Sequence, residues 1–370
     1  MLRDQRIRAR LIQGLLLAAA AAVVLLLVET TTANLRARGI PIGLEFLPLP
    51  SRFVISESLL RYRSQDPYYW AIIVGLANSV FISALVVVLS TMLGLLVGIG
   101  RLSSNPLVSG TCRLWVEVAR NTPPIVLLIF LYSLWWRVLP PVDAAFDPVP
   151  GVFLSMRGLM LPSLSVSIPA MVALVLAGAA LAALLAAMPA LKRWRRAMLL
   201  VAGMVAIGAL SVSDTSAAVD WPRFERGNYR GGFELTPELT TVVVGLTLYT
   251  TGFIAEIVRA GVLSVGRGQW DAALALGLRR GQILRLIVIP QMLRVIMPPL
   301  TSQYINVVKN STLAIAVGYP DFLAIMGTVI NKSSHALEGV AIILAGYLAV
   351  NLTLSLLLNW YNRRIALVER

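Results

Sequence analysis

Gly266-Arg267-Gly268-Gln269-Trp270-Asp271-Ala272-Ala273-Leu274-Ala275-Leu276-Gly277-Leu278-Arg279-Arg280 is a polar break between two strongly apolar segments. A plain connector between membrane helices needs only water-soluble residues. This one adds a Trp, an Ala/Leu run of high helix propensity and a Gly at set positions. Wound as a helix over Gln269 to Leu276, it places Trp270, Ala273, Leu274 and Gly277 at i, i+3, i+4 and i+7, on one face. Asp271 falls in the first turn, where the helix dipole favours an anion. Gly277 supplies the left-handed residue that ends a helix, and Arg279 and Arg280 follow. Two readings fit: an interfacial helix lying on lipid headgroups with a Trp anchor, or a docking helix seated in a groove of another protein.

The chain around this stretch has 370 residues, 58% hydrophobic and 14% charged, with mean hydropathy +0.79. Soluble domains carry roughly 25% charged residues, so the composition reads as an integral membrane protein. Eight apolar segments approach the ~20 residues that a spanning helix needs. They are 11–28, 70–100, 114–138, 170–190, 197–213, 239–265, 286–308 and 339–362. Residues 311–330 are apolar but broken by Gly318, Pro320 and Asp321, and read as a re-entrant or half-length element. The first segment follows Arg3, Arg6, Arg8 and Arg10, as a cleaved signal would; its length exceeds the 7–15 residues of a signal core and favours a retained span.

The net charge is +14. The basic residues punctuate apolar runs instead of gathering on a polar face, which argues for membrane topology and against nucleic-acid binding. Threading eight spans puts Arg3 to Arg10, Arg101 and Arg113, Lys192 to Arg196, Arg267 to Arg285, and Arg363 and Arg364 on one side. By the positive-inside rule that side is the cytoplasm, with both termini in it. Three blocks follow: 1–66, an added span and a polar outer segment; 67–138 and 235–370, which hold every unusual motif; and 139–234, an inserted pair of plain spans with outer loops. Trp135 and Trp136 read as an outer aromatic belt.

No catalytic set is visible. A single His335 and a single Cys112 exclude a His-based metal cluster and an intrachain disulfide. No Gly-Lys pair of a phosphate-cradling loop occurs, so any nucleotide energy must come from another chain. Glu117/Arg120 and Glu256/Arg259 are acid–base pairs at i, i+3 near span ends. They read either as ion pairs holding helices together or as a gate whose pairs exchange partners. Pro123 and Pro124 kink or break the third span. Thr250, Thr251 and Gly252 form a small polar patch inside the sixth, read either as close helix packing or as substrate contact. Asn121, Thr122, Asn310, Ser311 and Thr312 could line the same cavity, Lys309 could attract a carboxylate or snorkel to an interface, and Arg294 should be paired.

Asp271-Ala272-Ala273, Gly277, Ile287, Ile289 and Pro290 resemble the E-A-A-x-x-x-G-x(9)-I-x-L-P loop of ABC importer membrane subunits, with Asp for Glu and Ile for Leu. Glu117-Val118-Ala119-Arg120-Asn121-Thr122-Pro123, Tyr249 to Gly261 and Lys309 to Leu313 resemble motifs of the polar amino acid branch of that family. The first span and the inserted pair lie outside the resemblance, and are similar to the general L-amino acid and glutamate/aspartate-type permeases. The resemblance implies an all-α integral membrane protein with a type I importer five-helix core, an N-terminal extra helix and an inserted helix pair. It also implies a coupling helix that docks an ATPase through Gln269, Trp270, Asp271, Ala272, Ala273, Leu274, Gly277 and Arg279. The implied partners are a second homologous membrane subunit, two ATPase subunits that hold ATP and Mg, and a periplasmic amino acid-binding protein. The implied site is the bacterial inner membrane. A stand-alone secondary carrier of a small polar solute is the alternative, and it leaves 266–280 unexplained; a membrane scaffold leaves the acid–base pairs without purpose.

Overall fold

The structure is a computed structural model that describes residues 5–39, 41–165 and 218–365. The expected fourth and fifth spans and the basic cluster Lys192 to Arg196 lie outside the described residues. The described chain divides into two units: 1–130 with 241–370, and Leu131–Thr240.

The first unit is helical. Helix α1 (Gln5–Ala37) carries the first apolar segment, and α2 (Tyr68–Gly100) the second. The third splits into α3 (Pro106–Asn121) and α4 (Pro124–Val138), bent by 105°. A kink or break was expected in a span over 114–138; the structure gives two separate helices. The residue before a proline avoids the helical region, and Thr122 is extended at φ −93°, ψ 125°. α3 therefore stands apart as an amphipathic helix, started by Asn105, whose side chain accepts from the Leu107 amide.

The sixth segment is α5 (Pro237–Leu263), followed by α6 (Arg267–Ala275) and the single turn α7 (Arg280–Ile283). The seventh is α8 (Ile289–Asn310), entered through a wide π turn at Leu284–Val288. Pro290 explains that turn, since it has no N–H to give to the preceding one. After α8 a 3-10 turn (Ser311–Val317) ends on Gly318 at φ +84°, and α9 (Phe322–Ser333) and α10 (Ala336–Ile365) follow. α9 has 12 residues, about 18 Å at 1.5 Å per residue, well short of the ~30 Å of a bilayer core. Among the described residues five helices are long and apolar enough to cross a membrane, or six with the α3–α4 pair taken as one.

Small residues bring the long helices together. A Cβ on Gly98 of α2 would lie 2.8 Å from the Ala255 carbonyl oxygen and 2.9 Å from Val258 Cβ on α5. Gly261 of α5 meets Ile296 of α8, and Gly75 of α2 meets Ile325 and Phe322 of α9. This is how membrane helices pack where no hydrophobic effect drives them.

The polar segment before α2 is not a loose tail. Its Phe46 and Phe53 are buried in one cluster with Tyr68 of α2 and with Phe322, Ile325, Met326 and Val329 of α9. Asn78 of α2 ties the two: its Nδ2 donates to the Glu57 and Pro320 carbonyls at 3.0 and 2.8 Å, and its Oδ1 accepts from the Leu59 amide at 3.0 Å. Ser79 Oγ accepts from the Phe322 amide at 2.9 Å. Asp321, fully buried, caps α9 by accepting from the Ala324 amide at 2.8 Å. Burial raises its pKa to about 6, against the lowering effect of the hydrogen bonds it accepts.

The second unit adds short strands where outer loops are expected. β1 (Phe146–Val149), β2 (Val152–Ser155), β3 (Gly158–Leu161) and β8 (Phe233–Leu235) form an antiparallel sheet in that order. β4 (Ser163–Ser165) pairs with β5 (Ala218–Asp220), and β6 (Arg223–Glu225) with β7 (Asn228–Arg230). Helical class stands for the membrane part; the strands are runs of three or four residues joined by turns whose glycines take positive φ, such as Gly151 at +85°. Trp135 Nε1 donates to the Met156 carbonyl at 3.1 Å and Tyr132 Oη donates to Glu238 at 2.7 Å.

Candidate functional site

α6 is the expected surface helix, two residues longer at its start than the sequence suggests, because Gly266 is its N-cap. Asp271 consequently sits in the second turn, past the reach of the dipole argument. The C-terminus is a Schellman motif: the Gly277 amide bonds the Leu274 carbonyl at 2.9 Å and the Leu278 amide bonds the Ala273 carbonyl at 3.2 Å. Gly277 holds φ +73°, which only Gly adopts without strain, and a Cβ there would meet nothing within 4 Å.

The faces of α6 do not divide as the helical spacing predicts. Ala273 is buried and Trp270 half-buried, both in a cluster with Ile254 and Val258 of α5, Ile283, Val288, and Met292 and Ile296 of α8. Leu278 packs there too. Leu274 is 54% exposed and Leu276 79% exposed, and Gln269, Asp271, Ala272, Gly277 and Arg279 are exposed. The apolar stripe is thus split. Trp270 and Ala273 anchor the helix to its own chain, while Leu274 and Leu276 form, with Asp271, Ala272 and Gly277, a free apolar and acidic surface. Leu276 and Leu278 were missed in the sequence; their signal was position, one on each side of a helix-ending Gly. Arg279 caps α7 through its amide, which donates to Gln282 Oε1 at 2.9 Å. Gln269 Oε1 accepts from Gln291 Nε2 at 3.4 Å, linking α6 to the foot of α8.

The two expected acid–base pairs behave differently. Glu256 and Arg259 pair, with Nη2 to Oε1 at 2.6 Å. Arg101, at the end of α2, binds the other oxygen of the same carboxylate, so one Glu ties two Arg and two helices. From the sequence Arg101 reads only as a marker of topology, not as a partner of Glu256, though it is the first charge after a long uncharged run. Glu117 and Arg120 do not pair: both are exposed on α3, and Arg120 lies over the Phe253 ring of α5, 5.6 Å from its centroid. The physical reason is the break at Pro123, which takes α3 out of the span, where no desolvation forces a pair.

The candidate cavity residues are mostly satisfied locally. Thr250 and Thr251 are buried, and Thr251 donates to the Thr247 carbonyl at 2.7 Å. Gly252 packs on α3, where a Cβ would lie 2.8 Å from that of Ala119. Ser311, also buried, donates to the Val308 carbonyl at 2.8 Å, Thr312 to that of Lys309 at 2.7 Å, and Thr122 to that of Val118 at 2.8 Å. Asn121 is exposed and Asn310 half-buried. Arg294, expected to be paired, is exposed and belongs to none of the ion pairs among the described residues. No group of His, Cys, Asp and Glu able to hold a metal occurs among the described residues.

Comparison with known proteins bears on this arrangement of a membrane helix core with one anchored, outward-facing helix. The chain is 40% identical to YhdX of Escherichia coli (strain K12), covering 98% of this chain and 95% of that one. It is 36% identical to the general L-amino acid transport system permease protein AapQ of Rhizobium johnstonii, over 92% and 88%. It is 32% identical to the glutamate/glutamine/aspartate/asparagine transport system permease protein BztB of Rhodobacter capsulatus, over 99% and 96%. In fold it resembles a crystal structure of an amino acid ABC transporter with histidines, at TM-score 0.50 and 20% identity, over 80% of this chain and 95% of that one. Residues 90–367, which contain α6 and every helix that anchors it, match the family model, and the chain belongs to the family of binding-protein-dependent transport system inner membrane components.

Proposed function

We propose that this chain is the membrane subunit of an ATP-driven importer of amino acids, and that α6 is where the ATPase engages it. The observation that carries the reading is the split of α6. Trp270, Ala273 and Leu278 fix it into the core shared by α5 and α8, while Leu274 and Leu276 stay exposed. A helix whose outer face is held by a partner and whose inner face is packed into two spans moves those spans when the partner moves. The names of AapQ and BztB supply the class of solute.

In this reading an extracytoplasmic binding protein delivers the amino acid to the outer loops, and a second homologous membrane subunit completes the path. ATP and Mg are held by two ATPase subunits, whose closure pushes on α6 and rocks α5 and α8 toward the opposite opening. Both termini are cytoplasmic. The Arg101–Glu256–Arg259 cluster ties α2 to α5, and its two arginines give the Glu256 carboxylate alternative partners between states.

Co-purification tests this. The wild-type chain should bring down an ATPase subunit from detergent extracts, and Leu274→Glu with Leu276→Glu should lower its recovery about tenfold or more, as loss of a central apolar contact does at interfaces, while membrane insertion is unchanged. Undiminished recovery would remove α6 from the docking role.

A further inference from the structure

Helices α8 and α10 pack against each other, yet the faces they leave uncovered differ in kind. On α10, Leu344, Leu348, Leu352 and Leu356 recur at every fourth position and are each more than half exposed. That is a face made for hydrocarbon. On α8 the exposed positions include Arg294, Pro298, Ser302, Asn306 and Lys309, with half-buried Gln291 at the foot. Steps of three and four residues place them on one stripe of the helix. Arg294 and Lys309 belong to none of the ion pairs among the described residues. A stripe that carries unpaired charge and an amide along a spanning helix does not suit lipid; such residues face a bundle interior or water.

The backbone under the stripe points the same way. Pro298 and Pro299 have no N–H to give to the carbonyls of Arg294 and Val295 one turn back. At membrane depth, carbonyls without a helical partner occur where the backbone is buried in protein or lines a water-filled cavity. Arg294 and Val295 are themselves exposed. Of the residues expected to line a cavity, Thr250, Thr251 and Ser311 are buried, and Thr251 and Ser311 donate to carbonyls one turn back, whereas the α8 stripe is exposed. Its foot joins α6 through Gln291 and Gln269.

We infer that this stripe of α8 is a wall of the water-filled path taken by the solute, and that Arg294 favours solutes carrying a carboxylate. The inference rests on the reading of the chain as a transport subunit.

The test uses the assembled transporter in membrane vesicles of both orientations, with Cys112→Ser as background. S302C and N306C on α8, and L348C and L352C on α10, are labelled with charged, membrane-impermeant methanethiosulfonates, one anionic and one cationic. S302C and N306C should react about tenfold faster than the α10 controls, since thiol reactivity follows access to water. Relative to a small free thiol, S302C should favour the anionic reagent several-fold, and R294Q should abolish that preference. Rates equal to the α10 controls would overturn the path, as would cross-linking of S302C to the neighbouring membrane subunit in place of labelling. Labelling with no anionic preference, or a preference that R294Q leaves intact, would overturn the role of Arg294. Labelling needs no ATP hydrolysis, so a chain that labels as expected but never binds an ATPase would sink the importer reading and leave the water-lined stripe standing.

Discussion

Gly277 and Asp321 show how single residues carry opposite constraints. At Gly277 the constraint is backbone alone: φ is +73° and the space beyond is open. Gly277→Ala should therefore cost about 1–2 kcal/mol of local stability, the left-handed penalty of an L-residue, and retain the ATPase. Gly277→Trp has the same backbone cost but adds bulk on the docking face, and should abolish co-purification; equal behaviour of the two variants would mean that only the helix end matters. At Asp321 the constraint is the buried charge. Its folded pKa of about 6 lies above the ordinary 3.8, so the folded state holds the proton longer than the unfolded one. Its contribution to stability is present below about pH 4 and is lost as pH rises to about 6. Asp321→Asn keeps an oxygen for the Ala324 amide and removes the titration. Thermal unfolding in detergent should then lose the downward slope between those pH values, and a slope unchanged in the variant would assign it to other groups. The burial of Asp321 was not legible in the sequence, because a polar residue between Pro320 and an apolar run reads equally well as an exposed helix cap.

At the scale of elements, glycines separate packing from permissiveness. Gly98→Ala on α2 should destabilise by about 1–3 kcal/mol, because its Cβ would strike the backbone oxygen of Ala255 and the side chain of Val258. Gly110→Ala on α3 meets nothing within 4 Å and should gain about 0.5–1 kcal/mol from helix propensity. Thermal unfolding of the two variants side by side checks both signs. The elements themselves were largely readable: six of the eight expected segments fall on described residues, and each coincides with helix. The exceptions have local causes. Two prolines turned one expected span into two helices at 105°, and the outer residues 146–165 and 218–235 carry short strands, too brief to show a period against the apolar background.

For the whole molecule, the Arg101–Glu256–Arg259 cluster is the charged tie between α2 and α5. Its side chains are 16–29% exposed, between a surface pair and a buried one, so Arg101→Ala should cost about 1–2 kcal/mol. It should also lower ATP-coupled uptake more than ATPase binding, if α2 and α5 move as one; loss of binding and uptake in proportion would show a folding defect instead. Composition, the length of apolar runs and the placement of arginines sufficed to read a multi-pass helical membrane protein, because the cost of burying backbone and charge in lipid acts on each segment separately. The spacing of Asp271, Gly277 and Pro290 was likewise enough to single out 266–280 and its helix end, since a left-handed Gly is a local requirement. What tertiary structure decided is which side of each helix is used. Trp270 and Ala273 turn inward and Leu274 and Leu276 outward. Glu256 gains Arg101 from a residue 155 positions away, Arg120 finds Phe253 in place of Glu117, and Arg294 is left in the open. Periodicity names the residues that share a face, but only the neighbours brought in by folding determine whether that face meets protein, lipid or water.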